Sequence, residues 1–91
     1  MDLSGLPGAP LIEEGLRDLA AGRETPASLL VAIGAARLRR AGIDVPEPGF
    51  DDPEHRLYHL LARDGSDSAH SRYNALVRTL VSFERAAECV R

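Results

Sequence analysis

Residues 67–90 read DSAHSRYNALVRTLVSFERAAECV, and this stretch decides the fold. Its apolar and small residues recur at alternating intervals of four and three, which is the a/d pattern of a helix that packs along one seam. Because the pattern runs to the end of the stretch, we expect one helix over 67–90, the longest in the chain. The seam residues are Ala69, Tyr73, Leu76, Leu80, Phe83, Ala87 and Val90.

Three shorter segments upstream each begin with a proline and end just before a glycine, an asymmetry typical of helices. They predict helices near 10–21, 26–41 and 53–64, with Thr25 and Asp52 as N-caps of the second and third. The second is apolar or small on almost every face, which predicts a helix surrounded by neighbours. No stretch shows the two-residue alternation of a strand. We therefore predict an all-α fold, a single compact bundle of four helices.

The length of 91 residues predicts one domain over the whole chain, 1–91. Residues 1–8 are expected to be frayed. Residues 43–52, IDVPEPGFDD, form a proline-rich acidic connector between the second and third helices. Its apolar positions Ile43, Val45 and Phe50 alternate with polar ones, so we expect an extended segment that is anchored on the helices.

The composition narrows the classes of function. The net charge is −3 and every basic residue is arginine, a bias typical of a bacterial high-GC coding sequence. An acidic balance argues against nucleic acid as a partner. No apolar run approaches the roughly 20 residues of a membrane span, and the N-terminus lacks the positive region of a secretory signal. With the single cysteine Cys89, these features predict a cytoplasmic protein without membrane association, and no motif predicts a cofactor.

His55 and His59 are four residues apart on the third predicted helix, a spacing that can offer two imidazoles to one metal ion. The apolar stripes of the helices carry no acidic residue to complete such a site. We therefore expect solvated or capping side chains here, with His55 and His59 as the weak metal-ligand candidates.

The joint between the third and fourth helices carries the other candidate chemistry. Ser68, His70 and Arg72 lie at a helix N-terminus, where free N–H groups and the helix dipole favour an anion. Arg63 and His70, with six residues between them, resemble the arginine-x(4–6)-histidine pattern of HEPN-type ribonucleases, although Gly65 interrupts the helix between them. The resemblance implies a small helical ribonuclease or nucleotide-binding domain with Arg63 and His70 as catalytic residues.

Helix lengths lead to the main functional expectation. At 1.5 Å per residue the last helix spans about 34–36 Å and the others about 18–24 Å. Antiparallel packing within one chain would leave part of its seam exposed, so we expect a homodimer or another helical protein to cover it. The association surface would comprise Tyr73, Leu76, Phe83, Ala87 and Val90. The competing possibility is that the N-terminal segment or the connector covers the seam. The sequence thus favours a non-enzymatic protein that acts through self-association or protein–protein interaction, with the ribonuclease or anion-binding domain as the alternative.

Overall fold

The computed structural model of the chain describes residues 5–47, 49 and 51–89, which form helices and turns without a strand among them. The predicted all-α class is confirmed. The first, third and fourth predicted helices begin within one residue of the observed ones. The helices are α1 (Ala9–Ala20), α2 (Pro26–Ile33), α3 (Ala35–Arg40), α4 (Pro53–Asp64) and α5 (Ser66–Cys89).

The single helix predicted over 26–41 is wrong, because the chain divides at Gly34 into α2 and α3. Gly34 has φ −93° and ψ 8°, outside the helical range of ψ. A Cβ at this position would lie 2.7 Å from Glu84 Oε2 and 2.9 Å from Leu80 Cδ1. Helix α5 therefore packs closely against Gly34, which carries no side chain, and α2 and α3 meet at this residue.

Helix α2 lies at the centre of the fold, as its apolar faces predict. It packs against α1, α4 and α5, and six of its residues are buried, Ala27, Ser28, Leu29, Leu30, Val31 and Ala32. Its start is fixed by a capping box. The Ser28 backbone N–H donates to Thr25 Oγ1 at 3.1 Å, and the Thr25 N–H donates to Ser28 Oγ at 2.8 Å. The N-cap predicted at Thr25 is thus confirmed.

Helix α1 approaches the backbone of α2 most closely at Gly15. A Cβ at Gly15 would collide with the Ala27 carbonyl oxygen and would lie 2.5 Å from Val31 Cγ2. Ile12 and Leu19, on the same side of α1, are buried in the core. The contact between the two helices therefore depends on the absence of a side chain at position 15.

The chain itself covers most of the α5 seam. Leu80, Phe83 and Ala87 are buried, and a Cβ on Gly8, in the turn before α1, would lie 2.7 Å from Thr79 Cγ2. This turn, residues 5–8, belongs to the segment predicted to be frayed; residues 1–4 and Val90 lie outside the described residues. Over the part of the chain that the structure describes, each helix is too short or too polar to cross a membrane.

The described residues of the connector predicted over 43–52 include apolar positions buried in the core. Ile43 and Val45, two of its predicted anchors, are buried, while Phe50 lies outside the described residues. Its acidic side chains at Asp44, Glu47, Asp51 and Asp52 are exposed. The segment therefore contributes apolar anchors to the core and places carboxylates on the surface before α4.

Candidate functional site

The outer side of α4 is the candidate functional surface. Leu57 and Leu61 are buried, so the helical repeat turns the other side of α4 toward solvent. We define the α4 face as the surface formed by His55, Tyr58, His59, Ala62 and Arg63, with Asp52 at its N-terminal end. Tyr58 is 40% exposed, and it is the one exposed large hydrophobic side chain among the described residues. An aromatic ring beside basic groups is common chemistry for a binding surface.

Two shallow grooves flank the two histidines of this face. The imidazole rings of His55 and His59 stack with centroids 6.5 Å apart and an interplanar angle of 16°. One groove, of about 310 Å³, is lined by Glu24, His55, Arg56, His59, Leu60 and Arg63. The other, of about 300 Å³, is lined by His55, Tyr58, His59 and Ala62. The histidine pair thus forms a ridge that is accessible from both sides.

Charges of opposite sign lie at the two ends of the α4 face. Arg63 is exposed at the C-terminal end, and among the ion pairs of the described residues none includes it. Asp52 is exposed at the N-terminal end and has left-handed backbone with φ 50°. It occupies the predicted N-cap position, but its side chain accepts no capping hydrogen bond. The predicted capping hydrogen bond from the Asp52 side chain is therefore wrong, because the left-handed backbone does not direct the carboxylate toward the first turn of α4.

Arg56, beside the α4 face, is held by the chain. Its Nη1 lies 2.9 Å from Glu24 Oε1, in the loop before α2, and its Nε donates to the Asp51 carbonyl at 2.7 Å. These contacts tie the start of α4 to the loop between α1 and α2. They fix one wall of the larger groove.

The residues predicted to bind an anion at the α4–α5 joint each have a nearby partner in the chain. Ser68 Oγ donates to the Gly65 carbonyl at 3.3 Å, and Arg72 Nη1 lies 3.9 Å from Asp64 Oδ2. His70 Nε2 lies 3.2 Å from the side-chain amide nitrogen of Asn74. All three contacts are at the exposed surface, so anion binding at this joint stays a prediction.

The structure gives Arg63 and His70 different surroundings. Arg63 lines the larger groove beside His59, whereas the ring of His70 meets the Tyr58 ring edge-on at a centroid distance of 6.5 Å. Neither of the two grooves is lined by both residues. The catalytic pairing implied by the resemblance to HEPN-type ribonucleases stays a prediction.

The metal candidates lie close to each other without a third ligand. His55 and His59 are neighbours on the ridge, but across the described residues no three His, Cys, Asp or Glu side chains are placed to hold one metal ion. Cys89 is exposed near the end of α5. Within the described ranges, one copy thus offers a pair of imidazoles and no complete ligand set.

The residues of the predicted association surface on α5 differ in burial, and association through them stays a prediction. Phe83 and Ala87 are fully buried within one chain, and the turn before α1 approaches Phe83 at Gly8. Leu76 is partly buried against the core. Tyr73 is half-buried and contacts the Tyr58 ring at 5.8 Å, and burial raises the pKa of the Tyr73 hydroxyl. Val90 lies outside the described residues.

Sequence reasoning missed the buried carboxylate of Glu84. Its side chain is among the buried residues of α5, with Oε1 3.5 Å from Arg37 Nη1. Arg37 Nε also donates to Glu88 Oε1 at 3.0 Å. Burial raises the pKa of Glu84, and the Arg37 guanidinium opposes that shift. The signal in the sequence was an acid four residues after Leu80, beside the seam, with another acid one turn further on.

Comparisons with protein-family models, with curated proteins and with solved structures each find no match to this chain. The functional argument therefore rests on the residues and geometry of the α4 face.

Proposed function

We propose that this chain is a non-enzymatic, helical-bundle protein of the cytoplasm that acts by self-association, and that two copies meet through the α4 face. One observation carries the proposal: the face is exposed and its charges are self-complementary. Asp52 lies at one end, Arg63 at the other, and the exposed Tyr58 ring lies between them. A surface that matches itself in this way is suited to a two-fold pair, the commonest arrangement of soluble oligomers.

The spacing of the two charges supports an antiparallel arrangement. Asp52 directly precedes α4 and Arg63 is the eleventh residue of this helix, so the two charges lie at its opposite ends. When two α4 helices pack antiparallel about a two-fold axis, Asp52 of each copy meets Arg63 of the other. Two ion pairs of the same kind then form at the ends of the contact, and a parallel arrangement would instead place like charges together.

The size of the face predicts a weak dimer. A twelve-residue helix is about 18 Å long and about 10–12 Å wide, so its footprint is well below the roughly 800 Å² per partner of a stable interface. The complementary charges at the two ends of α4 contribute more to the relative orientation of the two copies than to their affinity for each other. We therefore expect a monomer–dimer equilibrium that depends on concentration and salt.

A charge-swap experiment tests the proposal by sedimentation velocity from 10 µM to 1 mM protein, a range on the order of weak dimer dissociation constants. Arg63→Asp and Asp52→Arg each place like charges at both ends of the pair, so each variant alone should be monomeric. In an equimolar mixture every position 52 meets an opposite charge at position 63, and dimers should return. Arg85→Asp, the same charge change at an exposed site on α5, should dimerise like the wild type.

Two results would refute the proposed surface: an Arg63→Asp protein that dimerises like the wild type, or a mixture that stays monomeric. Because Asp52 has left-handed backbone, Asp52→Arg can also disturb folding. Asp52→Asn keeps a residue that tolerates this conformation and removes only the charge. It should weaken dimerisation while circular dichroism shows an unchanged helical content.

A further inference from the structure

His55 and His59 offer half of a zinc ligand set on an accessible ridge. Both side chains are exposed, so their torsions can change without disturbing the core. Structural Zn²⁺ takes four ligands, with Zn–N distances of about 2.0–2.1 Å to imidazole. Since no three potential ligands converge among the described residues of one chain, a site built on this pair is incomplete without a second copy.

The antiparallel pairing proposed above supplies the missing ligands. An axis that brings Asp52 onto the second copy's Arg63 passes between positions 57 and 58 of α4. The midpoint of His55 and His59 is position 57, half a residue or about 0.75 Å from that axis, so His55 of each copy lies nearly across from His59 of the other. Four imidazoles then surround one point on the axis, and the two copies contribute equally.

We infer that a zinc-class divalent transition metal bridges two copies of this chain on the two-fold axis, held by His55 and His59 of each. This inference rests on the proposed function, because it uses the same antiparallel pairing of α4. Imidazole is a good ligand for Zn²⁺, Ni²⁺ and Cu²⁺, whereas Mg²⁺ and Ca²⁺ prefer oxygen ligands. The bridge also compensates for the small area of the α4 face, since metal coordination adds bonds that do not depend on buried surface.

The surroundings of the ridge are compatible with a bridging metal. The grooves on both sides of the two rings are open, so a second helix can approach the ring nitrogens. Glu24 lines the larger groove, but its carboxylate is paired with Arg56. Asp52 lies about one turn before His55, and Arg63 lies one turn after His59. Their ion pairs with the second copy would therefore flank the metal on both sides.

The test uses Zn²⁺ alone as the probe and the full chain with Cys89→Ser, which removes the one thiol that could bind zinc. Protein is held at a concentration where it is monomeric without metal. On titration, the sedimenting mass should double from 9.8 kDa and should saturate at one Zn²⁺ per two chains. Excess EDTA should restore the monomer, and Mg²⁺ or Ca²⁺ at the same concentration should leave it unchanged.

Histidine variants then identify the ligands. His55→Ala and His59→Ala should each abolish zinc-dependent dimerisation, while His70→Ala, which removes the remaining histidine, should dimerise as before. Zinc binding at one ion per chain without dimerisation would overturn the inference. So would a zinc-dependent dimer that survives both His55→Ala and His59→Ala.

The charge-swap experiment distinguishes this failure from failure of the proposed function. If the mixed variants dimerise without metal and zinc adds nothing, the α4 surface stands and the metal bridge is refuted. If zinc dimerises the wild type and Arg63→Asp equally well, a bridge forms without the antiparallel Asp52–Arg63 pairing. That result refutes the proposed arrangement.

Discussion

Substituting Gly15 with alanine tests the packing of the core most directly. In solvent, the change should stabilise α1, because alanine is about 1 kcal/mol more favourable than glycine in a helix interior. Here the added methyl group would collide with the Ala27 carbonyl oxygen and would lie 2.5 Å from Val31 Cγ2. The carbonyl belongs to the backbone of α2, so a rotamer change cannot relieve the first contact and the two helices must separate.

The magnitude follows from the competition between these effects. Overpacking a well-packed core costs typically about 1–3 kcal/mol. Separating α1 from α2 also weakens the contacts of Ile12 and Leu19, because a gap of about 0.5–1 Å forfeits a quarter to a half of the dispersion energy of the atoms that line it. After the gain in helix propensity is subtracted, we expect Gly15→Ala to lower the free energy of unfolding by about 1–2 kcal/mol.

Urea denaturation followed by circular dichroism at constant pH measures this change. Gly5→Ala is the matched control, since a Cβ at Gly5 meets nothing within 4 Å, and we expect a change within about 0.5 kcal/mol. Val31→Ala should cost less in the Gly15→Ala protein than in the wild type, because it removes one of the two colliding groups. A Gly15→Ala protein as stable as the wild type, or more stable, would refute the close approach of α1 and α2.

Three further predictions concern α5 and the joint before it. Burial raises the pKa of Glu84 in the folded chain. The free energy of unfolding should therefore fall as pH rises from the ordinary glutamate range through the raised pKa. Glu84→Gln should remove that part of the pH dependence in urea titrations at pH 4–7. Leu80→Ala should lower the free energy of unfolding by about 2–5 kcal/mol in the same assay. Phe83→Glu should unfold the monomer rather than dissociate a dimer, and a folded Phe83→Glu monomer would contradict the observed core. If the α4–α5 joint binds anions, phosphate should raise the melting temperature of the wild type and not that of Arg72→Ala, and an equal rise in both would place the binding elsewhere.

The sequence predicted the helices well because their ends carry local signals. Pro26 with Thr25 and Pro53 at the start of α4 mark helix starts that the structure confirms. These signals act within one turn of the chain, so they do not depend on tertiary contacts. The break at Gly34 could not be predicted in the same way. Leu80 and Glu84, about fifty residues further along the chain, occupy the space beside Gly34, and the local sequence carries no sign of this contact.

The candidate site was predicted only in part, for a related reason. His55 and His59 were identified from their spacing, which is a property of one helix. The seam on α5 was also identified, but its exposure was inferred from helix lengths alone. Within one chain Phe83 and Ala87 are fully buried, and the turn before α1 approaches Phe83. The residues of a seam can be recognised from the periodicity of the sequence. Which part of the chain packs over the seam depends on the tertiary structure and cannot be recognised in that way.

The same arrangement explains why the unpaired surface lies on α4. Helix α2 is central and is buried over most of its length by α1, α4 and α5. Helix α4 packs on α2 and α5, with Leu57 and Leu61 buried and one edge of the outer stripe, at Tyr58, in contact with Tyr73 and His70. The opposite stripe is free to carry residues that contribute little to the core, and it carries a tyrosine, two histidines and an arginine. The proposed pairing of two copies uses the exposed tyrosine ring of this surface together with the opposite charges at the two ends of α4.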